Sequence, residues 1–366
     1  MKKVLILGVA AVQMDAIAQL NRMGCETWAA AMAMDGPGAR IARHFDQINI
    51  LDEPKLQAHI LRHQIDAVYS TGSDLAMPVA CRLSEKLGLP HFVSSETADI
   101  CNHKDRMRER LTSECSGNIP YQVMDSIQQA TVGFPSILKP SDSQGQRGIY
   151  LVGSQQLLES RFASARQFSR DGRVIVERYI DGPEISVNGY LVDGRLRFLA
   201  ASDRVTWPEY TGLIHRHVVP ARAVGRAEDS RLRDTVLDAC RRVGIQNGPV
   251  YFQIKLEKGH PYIIEMTPRL DGCHMWNVLQ KAAGVNLMKL VFEHLLFGRV
   301  DELQKLRAVR PMELVFWCQK PGSAMERGVF KLPRDAVEHF YYYQNGEYVR
   351  PVNGKFDKVG YYIRKL

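Results

Sequence analysis

Residues 251–272 read YFQIKLEKGHPYIIEMTPRLDG. Two runs rich in β-branched and aromatic residues flank Lys258–Gly259, a pair suited to the tight turn of a β-hairpin. Side chains on one face of a hairpin lie side by side. A turn over 258–260 sets Gln253 opposite Glu265, and Thr267, two residues further on, shares the Glu265 face. Oxygen-bearing side chains gathered in this way suit a hard cation such as magnesium, shared with phosphate oxygens. Arg269 follows, and its planar guanidinium can grip an anion through paired hydrogen bonds. The polar side of a solvated hairpin would use the same residues, so the rest of the chain has to decide.

Upstream, residues 134–148 read FPSILKPSDSQGQRG. A short apolar run ends in Lys139, and a polar loop with Gly145 and Gly148 follows. In a P-loop the lysine comes after the glycines, so this order is not a P-loop. A lysine closing a buried strand points into a cleft, and glycine-spaced backbone N–H groups can cover phosphate oxygens. Arg147 adds a charge, and Lys104 lies upstream. Solvated surface lysines would be the ordinary alternative. Next comes VIVERYIDGPE (174–184), a buried strand running into an extended segment. Its backbone over Glu177, Arg178, Tyr179 and Ile180 can meet the edge of an adenine, and the Glu184 carboxylate can accept ribose hydroxyls.

The chain opens with VLIL (4–7), bounded by Gly8, then a helical pattern over 12–23, the strand ETWAAA, a helix over 54–63, the strand DAVYS and a helix over 75–87. Strands alternating with helices over short connections make a parallel, doubly wound sheet. Its ligands belong at the carboxyl ends of the strands, near Gly8, Asp35 and Ser73–Asp74. GVAAVQ has a single glycine where a dinucleotide fingerprint has three, which argues against a nicotinamide site. From about residue 95 the texture changes. A basic helical stretch, SSETADICNHKDRMRERL, leads to antiparallel patterns with turns at Asp193–Gly194 and Lys258–Gly259, and the tail 311–366 is β-rich.

The bulk composition narrows the class. The 366 residues are 45% hydrophobic and 24% charged, as in a globular protein with a large core. The formal charge of +8 permits an anionic ligand, but the basic residues are interspersed with acids and form no aromatic-studded groove for nucleic acid. No apolar run spans a bilayer. Seven cysteines without a CxxC pair argue against a disulfide framework or zinc finger and point to a cytoplasmic protein with plain thiols.

Lys104, FPSILKP, the glycine loop, VIVERYIDGPE and the Gln…EMTPR hairpin occur in an order that resembles the ATP-grasp superfamily of carboxylate–amine ligases. The tail is similar to the C-terminal domain of the biotin carboxylase and carboxyaminoimidazole ribonucleotide synthase branch. The resemblance implies an α/β and α+β architecture in four parts. These are a Rossmann-like pre-ATP-grasp domain (1–95), linker helices with a lid (96–178), a central domain (179–300) and a β-rich C-terminal domain (301–366). It implies ATP as cofactor with magnesium or manganese. Lys104, Lys139, Ser141, Gln144, Gly145, Arg147 and Gly148 would contact phosphates, Glu177 to Ile180 the adenine and Glu184 the ribose. Gln253, Glu265 and Thr267 would face the metal, and Arg269 would steady the transferring group, with Lys139 and Glu265 catalytic beside it. Gln253 and Thr267 depart from the usual acidic residue and asparagine.

Small-molecule carboxylate and amine substrates are implied, with Ser73, Asp74, Arg204, His215, His217 and Arg269 as candidate contacts. A homodimer is implied by analogy, and neither nucleic acid nor membrane is expected as a partner. An ATP-binding module without ligase activity and a purine-pathway carboxylase or ligase stand as alternatives.

Overall fold

The computed structural model describes residues 1–142, 147–352 and 354–366. The first part runs β1 (Lys3–Leu7), α1 (Ala11–Arg22), β2 (Glu26–Ala31), α2 (Pro37–Ile41), β3 (His44–Gln47), α3 (Glu53–His63), β4 (Ala67–Tyr69) and α4 (Ala76–Leu87). The strands pair in parallel in the order β3-β2-β1-β4. Along β1, Val4 and Ile6 enter one hydrophobic core while Leu5 and Leu7 enter another. That is why the run is continuously apolar: both faces of the sheet are covered. β3 and α2 escape a reading by pattern, since HFDQ has no apolar run and none of its residues is buried.

The basic stretch from 95 is two helices, α5 (Ser95–Asn102) and α6 (Lys104–Leu111). The Ser94 hydroxyl caps the first by accepting from the Thr97 N–H at 3.0 Å. His103 is extended (φ −116°, ψ 114°) and breaks the run. A small antiparallel sheet follows, built from β5 (Tyr121–Met124), β6 (Ser136–Pro140), β7 (Tyr150–Val152) and β8 (Val174–Arg178), in the order β5-β8-β6-β7. Helix α7 (Gln155–Arg166) lies on one face of it, where Leu158, Phe162 and Ala165 meet Leu138, Val174 and Val176.

The remaining strands are β9 (Glu184–Val192), β10 (Arg195–Trp207), β11 (Tyr210–Val219), β12 (Gly248–Glu257), β13 (His260–Thr267), β14 (Met312–Gln319), β15 (Ala336–Tyr341) and β16 (Asp357–Lys365). They form one 8-stranded sheet in the order β13-β12-β9-β10-β11-β14-β16-β15, antiparallel throughout. Helices α8 (Arg226–Val243), α9 (Met275–Ala283) and α10 (Leu287–Phe297) supply the apolar cover. Both expected hairpin turns form, with left-handed pairs at Asp193–Gly194 (φ 50°, 71°) and Lys258–Gly259 (φ 52°, 77°). The β-rich tail continues the central sheet, because β14 hydrogen-bonds to β11 on one side and β16 on the other. All seven cysteines are buried and free. Among the described residues no helix is long and apolar enough to cross a membrane.

Candidate active site

Strand alternation places the first group of polar residues. Leu138 on β6 and Val174 and Val176 on β8 face α7. Lys139 and Glu177 therefore share the opposite face, two register positions apart. Both are almost fully buried, and Lys139 Nζ lies 2.7 Å from Glu177 Oε2. On its other oxygen Glu177 accepts from Arg108 Nε at 2.9 Å. Arg108, on α6, is wholly buried and also donates to Asn118 Oδ1 and to the Ile264 carbonyl. Burial pushes the Lys139 ammonium down to about 8; Glu177 opposes this, and Arg108 and Lys104 add to it. Burial would raise the Glu177 carboxyl, but the charges of Arg108 and Lys139 hold it at about 2. The triad stays ionised because a single carboxylate serves two cations.

Lys104 opens α6, is buried, and its N–H donates to the Ser141 carbonyl at 2.9 Å. Ser141 Oγ donates to Asp171. Lys104, Lys139, Ser141 and Glu177 thus meet at one place. Gly148 (φ 72°) backs onto the small domain, where a Cβ would come within 2.8 Å of the Phe168 ring. Arg147 is exposed. The expected contacts Gln144 and Gly145 lie outside the described residues.

The second group sits on the large sheet. Gln253 and Glu265 are paired across the β12–β13 hairpin. Glu184 on β9 accepts from Gln253 Nε2 at 2.7 Å and from Arg204. Glu265 is half-buried and within electrostatic reach of Arg269. Arg108 bridges the two groups, since one end holds Glu177 and the other holds the carbonyl beside Glu265. Of the segment expected at adenine, Arg178 is spent on Glu257 (2.9 Å) and the Tyr179 N–H on the Pro135 carbonyl. Lys255 donates to the Ile180 carbonyl at 2.9 Å.

A third group joins the N-terminal sheet to the central one. Arg269 Nε donates to Asp74 Oδ1 at 2.7 Å, and the Thr267 hydroxyl donates to the same oxygen at 3.3 Å. Gly72 makes this approach possible, because a Cβ there would lie 3.1 Å from the Gly272 Cα. Ser73 accepts from the Ala76 N–H at the start of α4. His215 stays apart, stacked on Trp207 with centroids 3.9 Å apart. His217 is fully buried beside Ser202.

Residues 132–276 match the family model described as ATP-grasp domain. The chain carries an ATP-grasp domain. Among curated relatives, the carbamoyl phosphate synthase large chain of Clavibacter sepedonicus is 26% identical over 329 residues, 85% of this chain but 29% of that protein. The chain therefore spans less than a third of that relative. An L-amino acid ligase from Bacillus licheniformis superposes with a TM-score of 0.83 at 18% identity, over 100% of this chain and 93% of that one. The biotin carboxylase domain of the Hydrogenobacter thermophilus 2-oxoglutarate carboxylase was solved with magnesium ADP and bicarbonate. It superposes at 0.82 and 17% identity, over 100% and 86%. Both show the same fold from end to end.

Several residues around the ATP-grasp domain escaped the sequence reading. Arg108 lies in a helix of alternating charge, where a cation reads as solvated; only the flanking Met107 and Leu111, both buried, betray that this face turns inward. Asp271 and Cys273 follow Arg269 directly, and Lys358 comes from the tail. Asp15 on α1 accepts from Trp276 Nε1 and pairs with His274 Nδ1 at 2.6 Å, which pins the N-terminal sheet to the central domain. No local pattern links such distant positions. The glycine-poor turn at Gly8 is filled by the Gln13 side chain, which accepts from the Ala10 N–H and donates to the Thr71 carbonyl.

Proposed function

We propose that this protein is an ATP-dependent ligase that activates a substrate carboxylate as an acyl phosphate and joins it to an amine. The observation that carries the reading is that Arg108 ties the buried Lys139–Glu177 pair, with Lys104 beside it, to the strand that bears the Glu265 carboxylate. One side offers cations to phosphate oxygens and the other a hard oxygen ligand. The residues fit magnesium: the Glu265 carboxylate would bind it, and Gln253, whose amide nitrogen is committed to Glu184, would offer it the carbonyl oxygen. When bound, the ion would neutralise charge on the phosphates.

In the reaction a substrate carboxylate oxygen attacks the γ-phosphorus and ADP leaves. The amine nitrogen then attacks the acyl carbon, the bond to phosphate oxygen breaks, the nitrogen gives up a proton to the departing phosphate, and an amide and phosphate result. Lys139 and Lys104 offset the charge on the transferring group, and Glu177 keeps Lys139 protonated and aimed. Arg269 grips an oxyanion once Asp74 releases it or shares it. The Gly148 segment closes the site against water that would hydrolyse the acyl phosphate. Asp74 and Arg204 would contact the acceptor. A cytoplasmic location and a homodimer complete the proposal.

The test is ADP release by the purified protein with ATP, magnesium and paired carboxylates and amines. Stimulation that requires both partners, with loss on Lys139→Ala, is the expected result. ADP release that no carboxylate stimulates would overturn the ligase assignment. Arg269 clasped to Asp74 favours a second reading, nucleotide binding without turnover. Tight ATP binding with no product from any pair would select it.

A further inference from the structure

One cluster beside this site is not used above. His217 on β11, Asp271 and Cys273 are buried, and their donor atoms lie within 4.8 Å of one another. A long 3.4 Å bond from the Ser202 hydroxyl to the Ser186 carbonyl leaves its oxygen to accept from His217 Nδ1–H at 3.1 Å, the tautomer that metal binding needs. Nε2 is then a bare lone pair, and it has no partner among the described residues. Asp271 Oδ2 has none either, although Oδ1 accepts from the Met275 N–H. Cys273 Sγ accepts from Lys358 Nζ at 3.4 Å. Three acceptors therefore converge in a buried place, where polar atoms are normally paired.

We propose that His217, Asp271 and Cys273 form a metal site for a borderline-soft divalent ion, best zinc. Nitrogen, sulfur and carboxylate oxygen are the zinc donor types, and three protein ligands leave a fourth position open. Tetrahedral donors around zinc stand ~3.5 Å apart, so an adjustment of about an ångström closes the set. On binding, the Cys273 thiol loses its proton to solvent, and the thiolate and Asp271 offset the dication. Lys358 then donates to a metal-bound thiolate, and Ser202 orients the imidazole, as outer partners of metal ligands do. The nearby Arg204 is already paired with Glu184. Burial holds the His217 imidazole well below its ordinary range, with Lys358 and Arg204 adding to this, so it stays neutral. The site is separate from the magnesium ligands and does not depend on the ligase reading.

The test is cobalt(II) titration of the metal-stripped full-length protein, with zinc(II) in competition. One equivalent of cobalt should give a near-ultraviolet sulfur-to-metal band and visible bands of tetrahedral strength, both erased by one equivalent of zinc. Cys273→Ser should remove the near-ultraviolet band, and His217→Gln should weaken binding by about tenfold or more. Cys25→Ser, in the N-terminal core, should change neither. No sulfur band in the wild-type protein, or a band that survives Cys273→Ser, would overturn the proposal. The wild-type spectrum decides even if a variant folds poorly.

Discussion

Replacing Glu177 by glutamine removes the one carboxylate that serves both Lys139 and Arg108 while keeping the side-chain shape. Lys139 and Arg108 are 3% and 0% exposed, so neither can turn to water for compensation. Breaking a buried ion pair by removing one partner costs about 3–5 kcal/mol. Two cations left together belong at the upper end of that range. The pH dependence follows from the same contacts. In the native protein Lys139 titrates at about 8, so its ammonium is present below that pH and lost above it. ATP affinity should therefore weaken as pH rises through about 8. Glu177 raises the Lys139 value, so in Glu177→Gln it falls further and the weakening begins at lower pH. The stability terms run separately. Glu177, held at about 2 against an ordinary 4.5, contributes stability that is full above 4.5 and lost as pH falls towards 2. The variant lacks that term at neutral pH. Urea unfolding at pH 7 reads the first effect, and calorimetric ATP titration with magnesium from pH 6 to 9.5 reads the second. An unshifted urea midpoint together with an unmoved pH profile would refute the coupling of Lys139 to Glu177.

Asp74→Asn should leave the buried Arg269 cation short of a counter-charge and lower stability by about 3 kcal/mol, read by urea unfolding. Glu265→Gln should keep the fold and reduce ATP turnover by about 10²-fold or more, with a raised magnesium requirement in a metal titration. Gly182 has φ 152°, and a Cβ there would sit 1.9 Å from the Leu256 carbonyl oxygen. Gly182→Ala should therefore cost about 1–3 kcal/mol through overpacking, measured as a lowered unfolding midpoint.

Much of the fold was legible because the signals are local. Continuous apolar runs mark strands covered on both faces, as in VLIL. Alternation over 184–192 marks strands with one polar face, and Asp193–Gly194 and Lys258–Gly259 mark their turns. The pairing of Gln253 with Glu265 also followed from one hairpin, since turn position sets register. The separation of α5 from α6 was not legible, because it rests on the backbone of His103 alone.

Sequence by itself thus determined most of the strands and longer helices, which residue types carry charge to the site, and the order of the motifs. Tertiary structure alone decided how they are used. The sequence suggests a use only for the backbone at Glu177, and the folded chain shows that its side chain neutralises Lys139 and Arg108. Arg269 meets Asp74 from nearly two hundred positions away. The tail strands extend the central sheet and bring Lys358 to Cys273. The physical reason is burial. Once water is removed, each charge must find its counter-charge within a few ångströms, and packing of distant segments supplies it.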